Sequence, residues 1–306
     1  MKKALFIATF LLIFASAFTD SDTTDLGLER PRTANYEDNT SSLVYEREIV
    51  EHEYYTLSYR EYYEQSEWVC YVLSADELIK AAKRQNNFRS DPSISTHSAT
   101  PEDYVKSGYD RGHLAPAADF AFSSQAMSES FYMSNMSPQA PALNRKMWKD
   151  LEETVRIWAK NFGKVYVATG PVLEKTDYPT IGKNKVSVPE YYYKVLLSPI
   201  DKTQSATSQA KNQTQSSDTA PKSATSQTTL QTQSATSQAN PSDTCYIMIA
   251  FILPNKDCEG EIWDYVVTAD EVEKRTGIDF FYLLSDDIEE KLEANINIEN
   301  WRANSK

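Results

Sequence analysis

Residues 201–244 are a different material from the rest of the chain, and they set what can fold. Of these 44 residues, 27 are Ser, Thr or Gln, none is aromatic, and Leu230 is the single large apolar side chain. Ser-Ala-Thr-Ser-Gln recurs from Ser205, Ser223 and Ser234, at uneven spacings of 18 and 11. Without a fixed period or apolar positions, such a tract cannot bury a core, so a disordered loop is expected and a solenoid is excluded. A core must therefore come from the flanks. Two stretches rich in β-branched and aromatic residues, 191–197 and 246–253, border the tract and can pair as a hairpin across it. Loop-closure cost grows only logarithmically with length, so the insertion is tolerable. It reads as a flexible spacer, a glycosylation target or drift in a surface loop.

The N-terminus carries Lys2 and Lys3, a twelve-residue apolar run from Ala4 to Ala15, and Ala15-Ser16-Ala17. Residues 1–17 read as a secretory signal with a small-residue cleavage site. The run falls short of the roughly 20 residues of a spanning helix. The expectation is an exported protein (periplasmic, cell-surface or secreted) with no stable membrane insertion after cleavage. Residues 18–42 are polar and acidic and are expected to be a disordered lead. The folded domain is then 43–300, interrupted by 201–244, and its about 210 residues suit one α+β domain with a mixed core. Strands are expected at 44–50, 54–59 and 68–73. Ser74-Ala75-Asp76-Glu77 reads as a capping box opening a helix to about Lys83, and Thr268-Ala269-Asp270-Glu271 as a second, stopped by Gly277. Ser285 caps a last helix running to Ala294. Of three cysteines, Cys245 and Cys258 are the expected disulfide pair, while Cys70 sits in an apolar run.

Removing Lys2 and Lys3 leaves 29 basic against 44 acidic residues, a net charge near −15. That argues against general adhesion to nucleic acid, which rests on phosphate neutralisation. Charge is uneven, however. Residues 141–164 hold six basic and three acidic side chains, and 79–89 hold four basic and no acidic ones. Either these are solvated helix faces, or they are a basic cleft on an acidic body.

Tyr109-Asp110-Arg111-Gly112-His113-Leu114 concentrates chemistry. His113 can take a proton near neutral pH, and Arg111 offers forked donors to a phosphate. Asn144 and Glu152 can hold a hydrated hard cation. Asn144, Trp148, Glu152 and Arg156 are four apart, a slowly rotating stripe on one helix, with Met147, Leu151, Val155 and Trp158 on the adjacent, core-facing stripe. Taken alone, Glu152 and Arg156 are also an ordinary i,i+4 ion pair.

Asp110-Arg111-Gly112-His113-Leu114, three further residues and Ala118 complete a signature that resembles the DNA/RNA non-specific endonucleases, the ββα-metal nucleases. Phe131-Tyr132-Met133-Ser134-Asn135-Met136-Ser137-Pro138-Gln139, the Asn144 to Glu152 helix, and Val167-Ala168-Thr169-Gly170-Pro171 continue the resemblance. So do Ile181-Gly182-Lys183, Val188-Pro189 and Tyr193-Lys194-Val195, and it covers roughly Tyr54 to Leu284. It implies a ββα-metal fold and a sugar-non-specific, Mg²⁺-dependent endonuclease on DNA and RNA, with Mn²⁺ as a substitute ion. It also implies His113 as general base, Asn144 as direct metal ligand and Glu152 reaching the metal through water. Arg111 and Arg156 would lie on the phosphate, Asn135 would hydrogen-bond in the site, and Asp110 would anchor the loop. An upstream Arg near Phe88-Arg89-Ser90-Asp91-Pro92 also belongs to the family's site, and Arg84 and Arg89 both qualify. Rival readings are a phosphodiesterase for smaller diesters and a catalytically silent surface or nucleic-acid-binding protein. Protein partners are not specified, and a homodimer stays open.

Overall fold

The computed structural model describes residues 27–33, 47–200 and 245–306. The first helps to close the fold rather than trailing from it. Its strand β1 (Arg32–Thr33) pairs with residues 278–279, and Arg32 lies 2.6 Å from Asp279. Leu28 is buried. The expected disordered lead is thus corrected for residues 27–33, where one leucine and one ion-paired arginine anchor the backbone. The remainder of the lead, the 1–17 signal and the 201–244 tract lie outside the described residues.

Strands β2 (Arg47–Glu51), β3 (Thr56–Arg60) and β4 (Gln65–Ser74) form a meander. A separate two-stranded ladder follows, β5 (Asp110–His113) with β6 (Met136–Gln139). Strand β7 (Lys164–Pro171) returns beside β4, and β8 (Thr180–Ile181) pairs with β9 (Val186–Ser187). β10 (Tyr191–Ile200), β11 (Cys245–Pro254) and β12 (Val266–Val267) complete an antiparallel seven-stranded sheet, ordered β12-β11-β10-β7-β4-β3-β2. β13 (Ile278–Asp279) is the partner of β1. The hairpin expected across the tract is present, with every residue from Tyr191↔Pro254 to Ile200↔Cys245 in register.

Both faces of this sheet are covered, which is why its central strands are nearly continuous apolar runs and not alternating ones. On one face Leu57, Val69, Tyr71, Val167, Tyr192 and Leu196 pack against helix residues Leu151, Val155 and Trp158. On the other, Trp68, Ala168, Tyr193, Val195 and Ala250 meet Val272, Phe280 and Phe281. The helices are α1 (Ser124–Glu129), α2 (Pro141–Asn144), α3 (Met147–Phe162), α4 (Ala269–Thr276), α5 (Asp286–Glu293) and α6 (Glu299–Ala303). Thr268 Oγ1 accepts from the Glu271 N–H at the start of α4, and Gly277 ends it at φ +69°. The N-cap half of the second capping box is therefore formed.

Four other expectations change. The Ser74 box makes only a 3₁₀ turn at Ala75–Glu77, because the Ala81 and Ala82 N–H groups donate to the Ala121 carbonyl instead of continuing a helix. The domain runs past residue 300: Trp301 is fully buried, its ring 4.9 Å from Trp158, whose indole N–H donates to the Trp301 carbonyl at 2.8 Å. Asn144 ends α2, whereas Glu152 and Arg156 lie on α3, so the stripe is interrupted at Arg145 and Lys146. All three cysteines are free thiols. Cys245 opens a ten-residue strand and Cys258 lies four residues past its end. At roughly 3.3 Å per residue the strand alone is far longer than the few ångströms a disulfide spans, and four residues cannot fold back over it.

Candidate active site

The β5–β6 ladder followed by α2 and α3 sets the site against the sheet. Gly112 faces Ser137 across the ladder, and a Cβ there would drive into the buried Gln139 side chain. Only glycine lets the strand between Arg111 and His113 lie this close to its partner.

His113 ends β5, buried, with its ring edge-on to Phe131 at 4.9 Å and tilted to Phe88 at 5.7 Å. Its Nε2 has no hydrogen-bond partner. Burial, aided by the charges of Arg84 and Arg111, pushes its pKa down to about 3, so the ring is neutral at pH 7. The two arginines stack on the same aromatic pair, Arg111 at 4.1 Å over Phe88 and Arg84 at 5.0 Å over Phe131.

Asp110 opens β5 and accepts from Asn144 Nδ2 at 3.0 Å and from Arg145 Nε and Nη2 at 2.8 and 2.7 Å. The break between α2 and α3 is held by this carboxylate. With the donor end of the Asn144 amide committed, Oδ1 is left as its acceptor. Arg156 Nη1 donates to the buried Asp119 at 2.8 Å, and Asp119 also accepts from the Tyr71 hydroxyl at 2.7 Å.

These groups converge on a cleft of about 370 Å³ lined by Arg84, Arg111, His113, Asn144, Glu152 and Arg156. Arg145 and Lys149 widen its basic rim, so the two basic stretches do meet in a cleft. Beneath it lies a residue that motif reading left without a role. Lys194, on β10, is 1% exposed, with its ammonium 4.9 Å over the Trp148 ring. Burial pushes the Glu152 carboxyl up and the Lys194 ammonium down, and each partly offsets the other's shift. A lone lysine inside the apolar run 191–197 was the available signal, since lysine is almost never fully buried unless paired. Asp119 offered no such signal.

Two expected site residues are elsewhere. Asn135 is fully buried, and its amide is spent on backbone: Oδ1 accepts from Ala115 N–H at 2.9 Å, and Nδ2 donates to the Ala115 and Ser130 carbonyls at 2.9 Å. It shapes the loop after His113 and does not reach the cleft. Arg89 donates to the Asn87 and Ser128 carbonyls and stacks at 3.9 Å on Tyr132. Of the two upstream arginines, Arg84 is the one in the cleft.

For a cation the cleft offers the Asn144 amide oxygen and the Glu152 carboxylate. Among the described residues, groups of three acidic side chains close enough to share one ion occur only around Glu293, on the far side of the sheet. A sparse oxygen set suits Mg²⁺, which keeps most of its waters.

The family model "DNA/RNA non-specific endonuclease" matches residues 34–287. The chain belongs to this family. Among relatives of this DNA/RNA non-specific endonuclease family member, human mitochondrial endonuclease G is 42% identical over 141 residues, 42% of this chain and 48% of that protein. The mitochondrial nuclease EXOG of Danio rerio is 40% identical over 240 residues, 74% of this chain and 59% of that protein. The chain thus spans from just under half to about three fifths of these relatives. A solved EndoG structure, from a complex with EndoGI titled as the mechanism of EndoG inhibition, superposes with TM-score 0.61 at 28% identity, covering 78% of this chain and 88% of that one.

These relatives overturn the expected exported location, because both are mitochondrial nucleases by name.

Proposed function

We propose that this chain is a Mg²⁺-dependent endonuclease that hydrolyses phosphodiester bonds in DNA and RNA without sugar preference. The observation that carries the reading is a neutral, buried histidine facing the same cleft as three arginines, an amide oxygen and a carboxylate. His113 takes the proton from the attacking water. Its low pKa in the free protein is offset when phosphate brings negative charge beside Arg84 and Arg111, which moves the ring toward the range where a general base works best. Arg84, Arg111 and Arg156 gather charge on the phosphate as it becomes pentavalent. Asn144 and Glu152 would hold the cation, Asn144 directly and Glu152 through water, and Asp110 fixes the amide's orientation. A bound Mg²⁺ supplies positive charge to the phosphate and the leaving oxygen. None of these contacts reads a base edge, so sequence selectivity is not expected.

The reading is tested by incubating purified protein with plasmid DNA and with RNA, with Mg²⁺, with Mn²⁺ and with chelator. Both polymers should be shortened in either metal and left intact with chelator. Cleavage that survives chelation, or intact polymers alongside turnover of small diesters, would overturn it.

A further inference from the structure

A second cavity, of about 580 Å³, lies where the main sheet is incomplete. β3 opens at Thr56, opposite Cys70, but β4 continues to Ser74. Among the described residues, 71–74 therefore have a strand neighbour on the β7 side alone. In an antiparallel ladder, alternate residues direct their N–H and C=O groups to each side. Half of this segment's polar groups consequently point toward the cavity; the Ser74 N–H among them is already taken by the Glu77 carboxylate, and the rest of the edge, at Val72, is a template for another strand.

The walls add two chemical signatures. Glu29, Glu53, Asp76 and Glu77 line the cavity with a single lysine, Lys164. Tyr54 and Phe122 also line it, edge to face at 5.6 Å, an aromatic surface beside the carboxylates. Burial pushes the Glu77 carboxyl up, a cost that a neighbouring cation relieves. Asp119 closes the back wall, and the same carboxylate holds Arg156 of the catalytic cleft. The two sites are one side chain apart.

We propose that residues 71–74 and this cavity form a docking site for an extended segment of a partner protein carrying Lys or Arg at alternate positions, which adds to the sheet as a strand. Main-chain hydrogen bonds to the β4 edge supply the pairing, as in other strand-addition interfaces. The carboxylates and the Tyr54–Phe122 wall select cationic side chains with long apolar stems. The site is independent of the nuclease reading, since none of its lining carboxylates other than Asp119 touches the catalytic cleft.

The probe is a capped hexapeptide of alternating lysine and valine, titrated calorimetrically into the intact protein at low salt. Saturable one-to-one binding is expected. Glu53→Lys with Asp76→Lys should weaken it about ten-fold or more, because like charges then face each other. Both side chains are exposed, so the melting temperature of the double variant should match that of the parent. A peptide N-methylated along its pairing edge keeps the charge but loses the strand hydrogen bonds, and it too should bind about ten-fold more weakly. Equal binding of the N-methylated peptide, or of spermine, would overturn strand addition and leave a cation sink. Absence of saturable binding, or indifference to the charge reversal, would overturn the site itself.

Discussion

His113 shows what burial does to one side chain and how that can be measured. Its folded pKa, about 3, lies below the ordinary value of 6.5. Between these values the unfolded chain takes up a proton that the folded site refuses. Stability linked to this residue is therefore fully present above about pH 6.5 and drains away as pH falls toward 3. His113→Gln removes the titration. The variant should lose less of its melting temperature than the parent on going from about pH 7 to pH 4, and identical losses would show that another group governs acid sensitivity. Its cleavage rate should drop about 10²- to 10⁴-fold, as removal of a general base does. The cation site separates in a different way. Asn144→Ala should stay inactive at any practical Mg²⁺ concentration, whereas Glu152→Ala should recover in part as Mg²⁺ is raised. Rate against Mg²⁺ decides between them, and an Asn144→Ala curve matching the parent would move the direct contact to Glu152.

At the scale of elements, the parts legible in the sequence are those whose signal is local. Residues 191–197 and 246–253 announce strands by β-branched and aromatic content, and the stripe of Met147, Leu151, Val155 and Trp158 announces the buried side of α3. What stayed hidden depends on distant partners. The break between α2 and α3 exists because Asp110, 34 residues upstream of Asn144, claims its amide. The Ser74 box fails because Ala121 takes the N–H groups a helix would have used. Asn135 belongs to the site's motif but supports backbone, a distinction that only the hydrogen bonds of its amide reveal. Helix α6 was missed since five residues carry no periodicity, yet Trp301 on it completes a cluster with Trp158 and Phe162. Trp301→Ala should cost about 3–5 kcal/mol, as deletion of a buried aromatic ring does. Chemical denaturation measures it, and a loss under about 1 kcal/mol would place the folded unit's end before residue 300 after all.

Across the whole molecule, a net charge of −13 coexists with a cleft rimmed by Arg84, Arg111, Arg145, Lys149 and Arg156. The basic field is local, so attraction to phosphate is confined to where hydrolysis is proposed, and the acidic remainder opposes retention of the cleaved polymer elsewhere on the surface. The same separation of roles extends to residues 201–244. β10 and β11 keep register to their last described pair, Ile200↔Cys245, so the strands need nothing from the tract to pair. This end of the hairpin is also where Ile200 and Ile247 join the core on the α3 face, so the anchoring contacts lie before and after the tract. The tract is expected to be dispensable. Replacing it with a two-residue Asn-Gly turn, whose twist matches the flanking strands, should leave the cleavage rate unchanged. The shorter loop should raise the melting temperature slightly, because closing a long loop costs only about 0.6 kcal/mol more for each doubling of its length. Side-by-side melting and cleavage of the parent and the shortened chain measure both effects. A large loss of either would show that the tract packs on the domain or contacts the nucleic acid.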